Sequence, residues 1–247
     1  MAVFAVPLAF SAAGAPAGNP AGRFFIGLEG SYVPKVDRAI AAPDVCRPGK
    51  GPENTDLVFA IPRPRVSLTL PAGFSVEASW LPPLRISEAK ANLVGLAVSR
   101  TTSLKGGAIL LDLRAHGTFG VIHGPITCND AALQDATSEC YLGTRSDDAF
   151  RPNMVGFQVA LGWKLGPLIR PYVGGGYNHL APRFQVNFTN AAGMTDRRKV
   201  TVDLERAALF AGASWQATSR VELSGEIYSA PTDAVTGRLV GRIRFGR

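Results

Sequence analysis

Hydrophobic and polar residues alternate strictly near the end of the chain. Between residues 221 and 228, apolar residues take the odd positions, and Glu222 and Glu226 take even ones. Between residues 238 and 245, Leu239, Gly241, Ile243 and Phe245 take the odd positions, and three arginines take even ones together with a single valine. Because successive side chains of a strand point to opposite faces, this period of two predicts two β-strands, each with one charged and one apolar face.

The same period predicts ten strands in the whole chain. Their approximate ranges are 23–34, 63–70, 74–81, 92–102, 108–123, 153–164, 170–189, 199–215, 220–229 and 236–246. The connections alternate between longer and shorter ones, as in bacterial outer-membrane barrels, which have short turns on one side and longer loops on the other. The pattern therefore predicts an all-β, antiparallel, up-and-down transmembrane β-barrel. Eight strands is the fallback if the seventh, which contains Pro171 and Pro182, breaks and the last assignments merge.

Two architectures fit strands of this kind, and they differ in which face lies inside. A soluble barrel hides its apolar face, whereas a transmembrane barrel turns that face to lipid and keeps charges in the lumen. Acidic and basic residues are nearly equal in number on the charged face. This balance favours the transmembrane barrel, because an internal ion-pair network needs both signs. The predicted lumen charge network comprises Glu29, Glu77, Asp112, Arg114, Asp203, Glu205, Glu222, Glu226, Arg238, Arg242 and Arg244, with Arg65 and Lys164 on the same parity. Arg206 falls on the opposite parity, which a bulge or a position near the interface would explain.

Aromatic residues lie near the predicted strand ends. Tyr32, Trp80, Trp163 and Trp215 share the apolar parity, and such rings are enriched where a membrane meets water. We expect these four side chains to form part of an interfacial girdle.

Composition narrows the possible partners. The chain has 247 residues and a formal net charge of +7, but its basic residues are scattered, so nucleic-acid binding is not expected. Past residue 22 no apolar stretch approaches the roughly 20 residues that a membrane-spanning helix needs. Residues 1–22 carry no charge and contain small residues at alternating positions, which predicts a secretory signal peptide or its remnant, with the start assigned too far downstream. A disordered N-terminal arm is the alternative.

Three cysteines are present. Cys128 and Cys140 enclose a polar segment, and in an exported protein this spacing predicts a disulfide within a loop. Cys46 is then free or an alternative partner. No Cys-x-x-Cys motif occurs, so no metal site is predicted.

Three segments carry a family resemblance. They are residues 170–177, with the sequence RPYVGGGY, residues 213–228, and the ending RLVGRIRF at residues 238–245. In these features the chain resembles the small outer-membrane β-barrel proteins of Gram-negative bacteria, the group that includes OmpA-type and OmpW-type barrels. The resemblance implies an outer-membrane location and a C-terminal signal, here Ile243 and Phe245, that the barrel-insertion machinery reads. Gly246 and Arg247 follow the terminal aromatic residue.

The residues do not predict an enzyme. The chain has three histidines, and none lies in a recognisable catalytic spacing. His116 shares a face with Asp112, but four residues of strand separate the two by about 13 Å. No catalytic, cofactor or metal residue is assigned.

A ten-stranded barrel is narrow enough for its own side chains to fill. We therefore expect a monomeric barrel in the lipid bilayer with a largely plugged lumen. Its role would be structural, or one of surface interaction through the loops at residues 35–62 and 124–152. A narrow channel for small solutes and a soluble, lipocalin-like periplasmic binding barrel are the two alternatives.

Overall fold

The fold is a closed antiparallel β-barrel. A computed structural model describes residues 2–34, 60–86 and 88–246. The strands are β1 (Phe24–Tyr32), β2 (Ala60–Thr69), β3 (Phe74–Ile86), β4 (Ala89–Leu104), β5 (Ile109–Gly124), β6 (Asp148–Arg151), β7 (Met154–Trp163), β8 (Ile169–Leu180), β9 (Arg183–Gln185), β10 (Phe188–Thr189), β11 (Thr195–Asp196), β12 (Lys199–Thr201), β13 (Leu204–Gln216), β14 (Val221–Ala230) and β15 (Ala234–Phe245). Two short helices accompany them, α1 (Ala2–Ala5) and α2 (Asp130–Gln134). None of the helices in the described part of the chain is long and apolar enough to span a membrane.

Ten of these strands form the barrel wall, which confirms the prediction of ten strands over eight. Their order is β1, β2, β3, β4, β5, β7, β8, β13, β14 and β15, and β15 pairs back with β1. The closing ladder runs from the pair Phe24 and Phe245 to the pair Ser31 and Arg238. Closure matters because a barrel in hydrocarbon must satisfy every backbone hydrogen bond internally.

The connections differ between the two ends of the barrel. At one end they are tight, at residues 70–73, 105–108, 164–168 and 217–220. Gly73 belongs in such a turn because its φ is +78°, and a side chain there would collide with the carbonyl of Thr101. At the other end, hereafter the outer end, the connections at residues 125–153 and 181–203 are long, whereas β3 to β4 and β14 to β15 are joined by short turns.

Three predicted strand boundaries differ from the structure. The seventh predicted strand, 170–189, ends at Leu180 instead, because Pro182 cannot continue the ladder. The eighth does not run unbroken from residue 199, since β12 ends at Thr201 and β13 starts at Leu204. The connection predicted at residues 82–91 is shorter than expected, because β3 and β4 continue to Ile86 and from Ala89 past a register shift between Leu81 and Leu84.

A belt of apolar side chains covers the outside of the barrel wall. Members more than about a third exposed include Ile26, Leu28, Val66, Val76, Val94, Leu96, Val98, Leu113, Phe119, Val155, Phe157, Val159, Val173, Leu223, Ile227, Leu239 and Ile243. Alternating positions on the same strands are buried or half-buried and face the lumen. This inside-out arrangement matches a lipid-facing barrel and is the reverse of a soluble one.

The face assigned to the eighth predicted strand was wrong. Ala208 and Phe210 are buried inside, whereas Leu209 and Trp215 are exposed outside. Phe210 stacks on Tyr228 with 6.1 Å between ring centroids, so the lumen contains an aromatic patch at this level. Arg206 consequently lies on the inner parity, where its Nε atom donates to Asp233 Oδ2 at 2.5 Å.

Additional structure covers the outer end. Strands β6, β9 and β12 extend the ladder of β5 beyond the wall, and β10 pairs with β11. A disulfide joins Cys128 to Cys140, as the sequence predicts. It packs with Ala132, Val186 and Phe188 in a small core of its own. Cys46 and most of the predicted loop at residues 35–62 lie outside the described residues.

Candidate functional site

The lumen contains a chain of four alternating charges. Arg65 lies between Glu29 and Glu77, with a separation of 2.6 Å between guanidinium nitrogen and carboxylate oxygen on each side. Arg114 adds a second contact to Glu77 at 3.1 Å. Ser31 Oγ donates to Glu29 at 2.6 Å. These groups come from β1, β2, β3 and β5, so the network joins four strands across the lumen.

A second group of charges lies on β14 and β15, next to β1 in the barrel wall, and includes Arg170 from β8. Arg238 Nη1 is 3.2 Å from Glu226 Oε1, and both side chains are fully buried. Toward the tight-turn end, Glu222 contacts Arg170 and lies 3.9 Å from Arg242. Alternation of acids and bases satisfies each charge with a partner, which an enclosed lumen requires.

The remaining predicted lumen charges have other surroundings. Asp112 accepts a hydrogen bond from Thr101 Oγ1 at 2.7 Å inside the barrel. Arg244 is half-buried at the tight-turn end and donates to the carbonyl of Ser219 at 2.5 Å. Lys164 is exposed at the same end.

Asp203 and Glu205 do not belong to the lumen, which corrects the prediction. Asp203 precedes β13 and contacts Arg183 at 2.9 Å. Glu205 contacts His179 Nδ1 at 2.6 Å, and both side chains are about half exposed. The reason is the reversed parity of β13, whose alanine-rich sequence places small apolar residues on both faces and hides which face is inside.

Residues 4–16 fill much of the lumen, an arrangement that strand patterns do not reveal. Every residue from Ala5 to Leu8 is buried, as are Phe10 and Ser11. The segment is held mainly through its backbone, because an uncharged peptide offers carbonyl oxygens to the surrounding arginines. Its carbonyls accept from Arg63 (Leu8, 3.0 Å), Arg65 (Ser11, 2.8 Å), Arg114 (Phe10, 3.4 Å), Arg238 (Val6, 3.3 Å) and Arg242 (Ala12, 2.5 Å).

Side chains of the segment reinforce these contacts. The ring of Phe10 lies among three guanidinium groups, with centroid distances of 5.6, 4.4 and 5.2 Å to Arg63, Arg65 and Arg114. A guanidinium group close to the face of an aromatic ring is attracted to that ring electrostatically. Ser11 Oγ donates to Glu226 at 2.5 Å and also contacts Arg238. The segment is therefore integrated into both charge groups.

Several lumen residues were missed by the sequence reasoning. Arg63 is buried on β2 and occupies the same inner parity as Arg65. It is the first residue of the predicted strand 63–70, so applying the parity rule to the whole of that strand would have found it. Tyr172 donates from its hydroxyl to Glu226 at 3.1 Å. Asn178 donates to the hydroxyl of Tyr228 at 2.7 Å. No sequence signal separates these hydrogen-bonding residues from ordinary wall residues.

The histidines lie in three different environments. His116 is buried in the lumen, and neither ring nitrogen has a hydrogen-bond partner in the described part of the chain. His123 Nδ1 is 3.5 Å from Asp147 at the outer end, and His179 pairs with Glu205 outside the wall. Within residues 2–34, 60–86 and 88–246, no group of histidine, cysteine and acidic residues is arranged to hold a metal ion.

The aromatic residues singled out from the sequence lie near both ends of the barrel. Tyr32 and Trp80 are exposed toward the outer end, whereas Trp163, half-buried, and Trp215, exposed, lie toward the tight-turn end. Phe245 is exposed in the last strand and contacts Phe24, with 6.3 Å between ring centroids. Ile243 is also exposed, in the same outer belt.

Comparison with known proteins gives similarities of architecture. No protein-family model matches the chain, and no curated protein matches it. Among solved structures, Ail of Yersinia pestis in a phospholipid nanodisc is similar, with 9% identity, a TM-score of 0.38, and coverage of 91% of this chain and 99% of Ail. The CymD monoaromatic hydrocarbon channel has 11% identity and a TM-score of 0.40 over 91% of this chain and 67% of CymD. Neisserial surface protein A has 10% identity and a TM-score of 0.30 over 90% and 97%.

These similarities carry no information about ligands, and the barrel's own features identify its class. An even number of antiparallel strands, only tight turns at one end, two long connections at the other and an apolar outer belt occur together here. That combination is the architecture of bacterial outer-membrane β-barrels.

Proposed function

We propose that this chain is a monomeric bacterial outer-membrane barrel protein with a closed lumen, which acts through the surface at its outer end. The observation that carries the proposal is the pairing of an apolar outer belt with an interior filled by paired charges and by residues 4–16. A soluble lipocalin-like barrel would need the opposite distribution of apolar surface.

The closed lumen rests on two layers of contacts. Ion pairs such as that of Arg238 and Glu226, which joins the neighbouring strands β14 and β15, fill part of the interior, and residues 4–16 occupy the space that remains. The carbonyl oxygens of this segment accept hydrogen bonds from the arginines, so part of each guanidinium's donor capacity is satisfied by the protein itself and not by an anion from solution. A small solute would have to displace the segment or the paired side chains to pass.

A narrow channel is the second candidate function, and one observation favours it. Residues 1–22 have the composition of an export signal, and the channel function requires that the exporting cell removes them. Removal would take away the carbonyls that Arg63, Arg114 and Arg242 contact. The vacated lumen would then present these cations to solutes, which would favour anions.

Single-channel recording distinguishes the two functions. The full chain and a variant lacking residues 2–18 would be refolded into planar bilayers, with heat-modifiable gel mobility as the check that each is folded. We expect no conductance from the full chain and anion-selective conductance from the shortened one. Conductance from the full chain would overturn the closed lumen, and mass spectrometry of the mature N-terminus would tell which form the cell contains.

The outer surface is the proposed site of interaction. It includes the disulfide-bonded region within residues 124–152, while residues 35–59 of the other predicted loop lie outside the described residues. We also propose that the protein is not an enzyme.

We further propose that the barrel-insertion machinery reads Ile243 and Phe245, so Phe245→Ala should slow membrane insertion in cells. Recovery of the wild-type protein in the soluble fraction alone would contradict the membrane location.

A further inference from the structure

Two cations face each other on the outer wall near the outer end. Arg85 on β3 and Lys90 on β4 are direct cross-strand partners, and both side chains are exposed. Directly opposed side chains on one face of an antiparallel pair are neighbours at about 5 Å between Cβ atoms, and like charges in this position destabilise the pair. An anion between them would remove that repulsion.

No acid of the described residues supplies this anion. Neither Arg85 nor Lys90 has an ion-pair partner within residues 2–34, 60–86 and 88–246. The nearby acids have other contacts: Glu88 contacts Arg145 at 2.9 Å, and Asp147 lies 3.5 Å from His123. Among the described residues, therefore, no group neutralises this like-charge pair.

A third basic side chain extends the pair. His123 on β5 is the direct partner of Lys90, so the three groups form a row across neighbouring strands. The row opens into a cavity of about 710 Å³ that is also lined by Arg145 and by two acids, Glu88 beside Arg145 and Asp147 beside His123, so Arg85 and Lys90 are its unpaired charges among the described residues. A cavity of this size can hold a phosphate group together with part of the molecule that carries it.

The row lies directly above the apolar belt. Lys90 is four residues beyond the exposed Val94 on the same strand, which is about 13 Å. Between them, Trp80 Nε1 donates to Asn92 Oδ1 at 3.1 Å, and indole rings favour the boundary between membrane and water. Cations at this height face lipid headgroups.

We propose that Arg85, Lys90 and His123 form a binding site for the phosphate group of a membrane lipid in the outer leaflet. The guanidinium of Arg85 can bind phosphate oxygens in a bidentate manner, and Lys90 contributes a point charge. The lipid's acyl chains would continue along the apolar belt below. This inference rests on the proposed membrane location but not on whether the lumen is closed.

Native mass spectrometry of the full chain in detergent tests the site. The probes are phosphatidic acid, which has an exposed phosphate monoester, and phosphatidylcholine, whose phosphate is masked by choline. We expect the wild-type protein to retain one phosphatidic acid in preference to phosphatidylcholine. The double variant Arg85→Gln with Lys90→Gln should bind phosphatidic acid at least about tenfold more weakly, as expected for lost charge-assisted hydrogen bonds.

A matched variant controls for total charge. Arg197→Gln with Lys199→Gln removes two exposed cations at the same end of the barrel but outside the cavity. It should keep wild-type affinity, and an equal loss in both double variants would overturn a specific site. Inorganic phosphate at millimolar concentration should leave the bound lipid in place, since displacement would identify a free-anion site instead.

The single variant Lys90→Glu separates binding from folding. The substitution places a carboxylate opposite Arg85, so an attractive pair replaces a repulsive one. The barrel should therefore be at least as stable in urea, whereas phosphatidic acid binding should be lost. Retained binding would contradict the proposal. A wild-type protein that never enters the membrane would refute the proposed function, whereas an inserted protein without lipid preference would refute only this site.

Discussion

Arg238 and Glu226 form an ion pair that is entirely enclosed by the barrel, with 3.2 Å between Nη1 and Oε1 and no exposure of either side chain. The guanidinium also lies 4.2 Å from the ring centroid of Tyr228. Removing one partner should therefore leave a buried charge without compensation. We expect Glu226→Ala to lower the free energy of unfolding by about 3–5 kcal/mol, measured by urea titration in detergent micelles.

A double variant controls for that effect. Glu226→Leu combined with Arg238→Met removes both charges and keeps similar volumes, so most of the loss should be recovered. If the single and the double variants lose the same stability, the pair does not act as a unit.

The N-terminal segment depends on space beside Gly95. A side-chain carbon at this position would come within 2.9 Å of the Phe10 ring. Gly95→Val should therefore push Phe10 out of its place and produce conductance in a barrel that is otherwise closed. Gly225→Val is the control, because a carbon there meets its nearest neighbour, Leu239, at 3.5 Å. Silent recordings from both variants would count against a segment seated in the lumen.

Depth in the membrane should govern the cost of a charge on the outer wall. Leu96 is exposed in the middle of β4, whereas Thr102 is exposed near the tight-turn end of the same strand. Leu96→Arg should cost about 2–4 kcal/mol of unfolding free energy in lipid vesicles, and Thr102→Arg about 0–1 kcal/mol. Similar, small costs for both substitutions would indicate that water surrounds the wall.

The disulfide should stabilise the outer region and leave the barrel wall unaffected. Cys128 and Cys140 are 12 residues apart and pack in a small core separate from the wall. Replacing both by alanine should cost the loop about 2–3 kcal/mol on the chain-entropy model. We expect faster proteolysis within residues 125–147 and unchanged heat-modifiable mobility. Loss of that mobility would show that the loop also supports the barrel.

Strand alternation made most of this fold predictable. A period of two identifies a strand wherever one face is apolar and the other charged, as in β14 and β15, and there the faces agree with the structure and the bounds differ by no more than two residues. The rule failed in β13, where Ala208 and Phe210 face inward and Ala207 and Leu209 face outward. With apolar residues on both faces, the pattern contains no information about which side is the lumen.

The contents of the lumen were less predictable than its wall. Inward parity identified Glu29 and Glu77, but which charges meet depends on the register between strands, which alternation does not specify. Residues 4–16 have no charge and no strand pattern, so their contacts with arginines from distant parts of the chain could not be read from sequence.

The ladder between β1 and β15 has a consequence for the order of assembly. Phe24 pairs with Phe245, so the edge of β1 that does not pair with β2 cannot find its partner until nearly the whole chain is available. Until then both outermost strands keep unpaired backbone groups, which can recruit other chains. A chain truncated before residue 234 would lack β15 and would keep those open edges permanently. The unpaired edges of such an unclosed barrel are the feature that quality control in the cell could recognise.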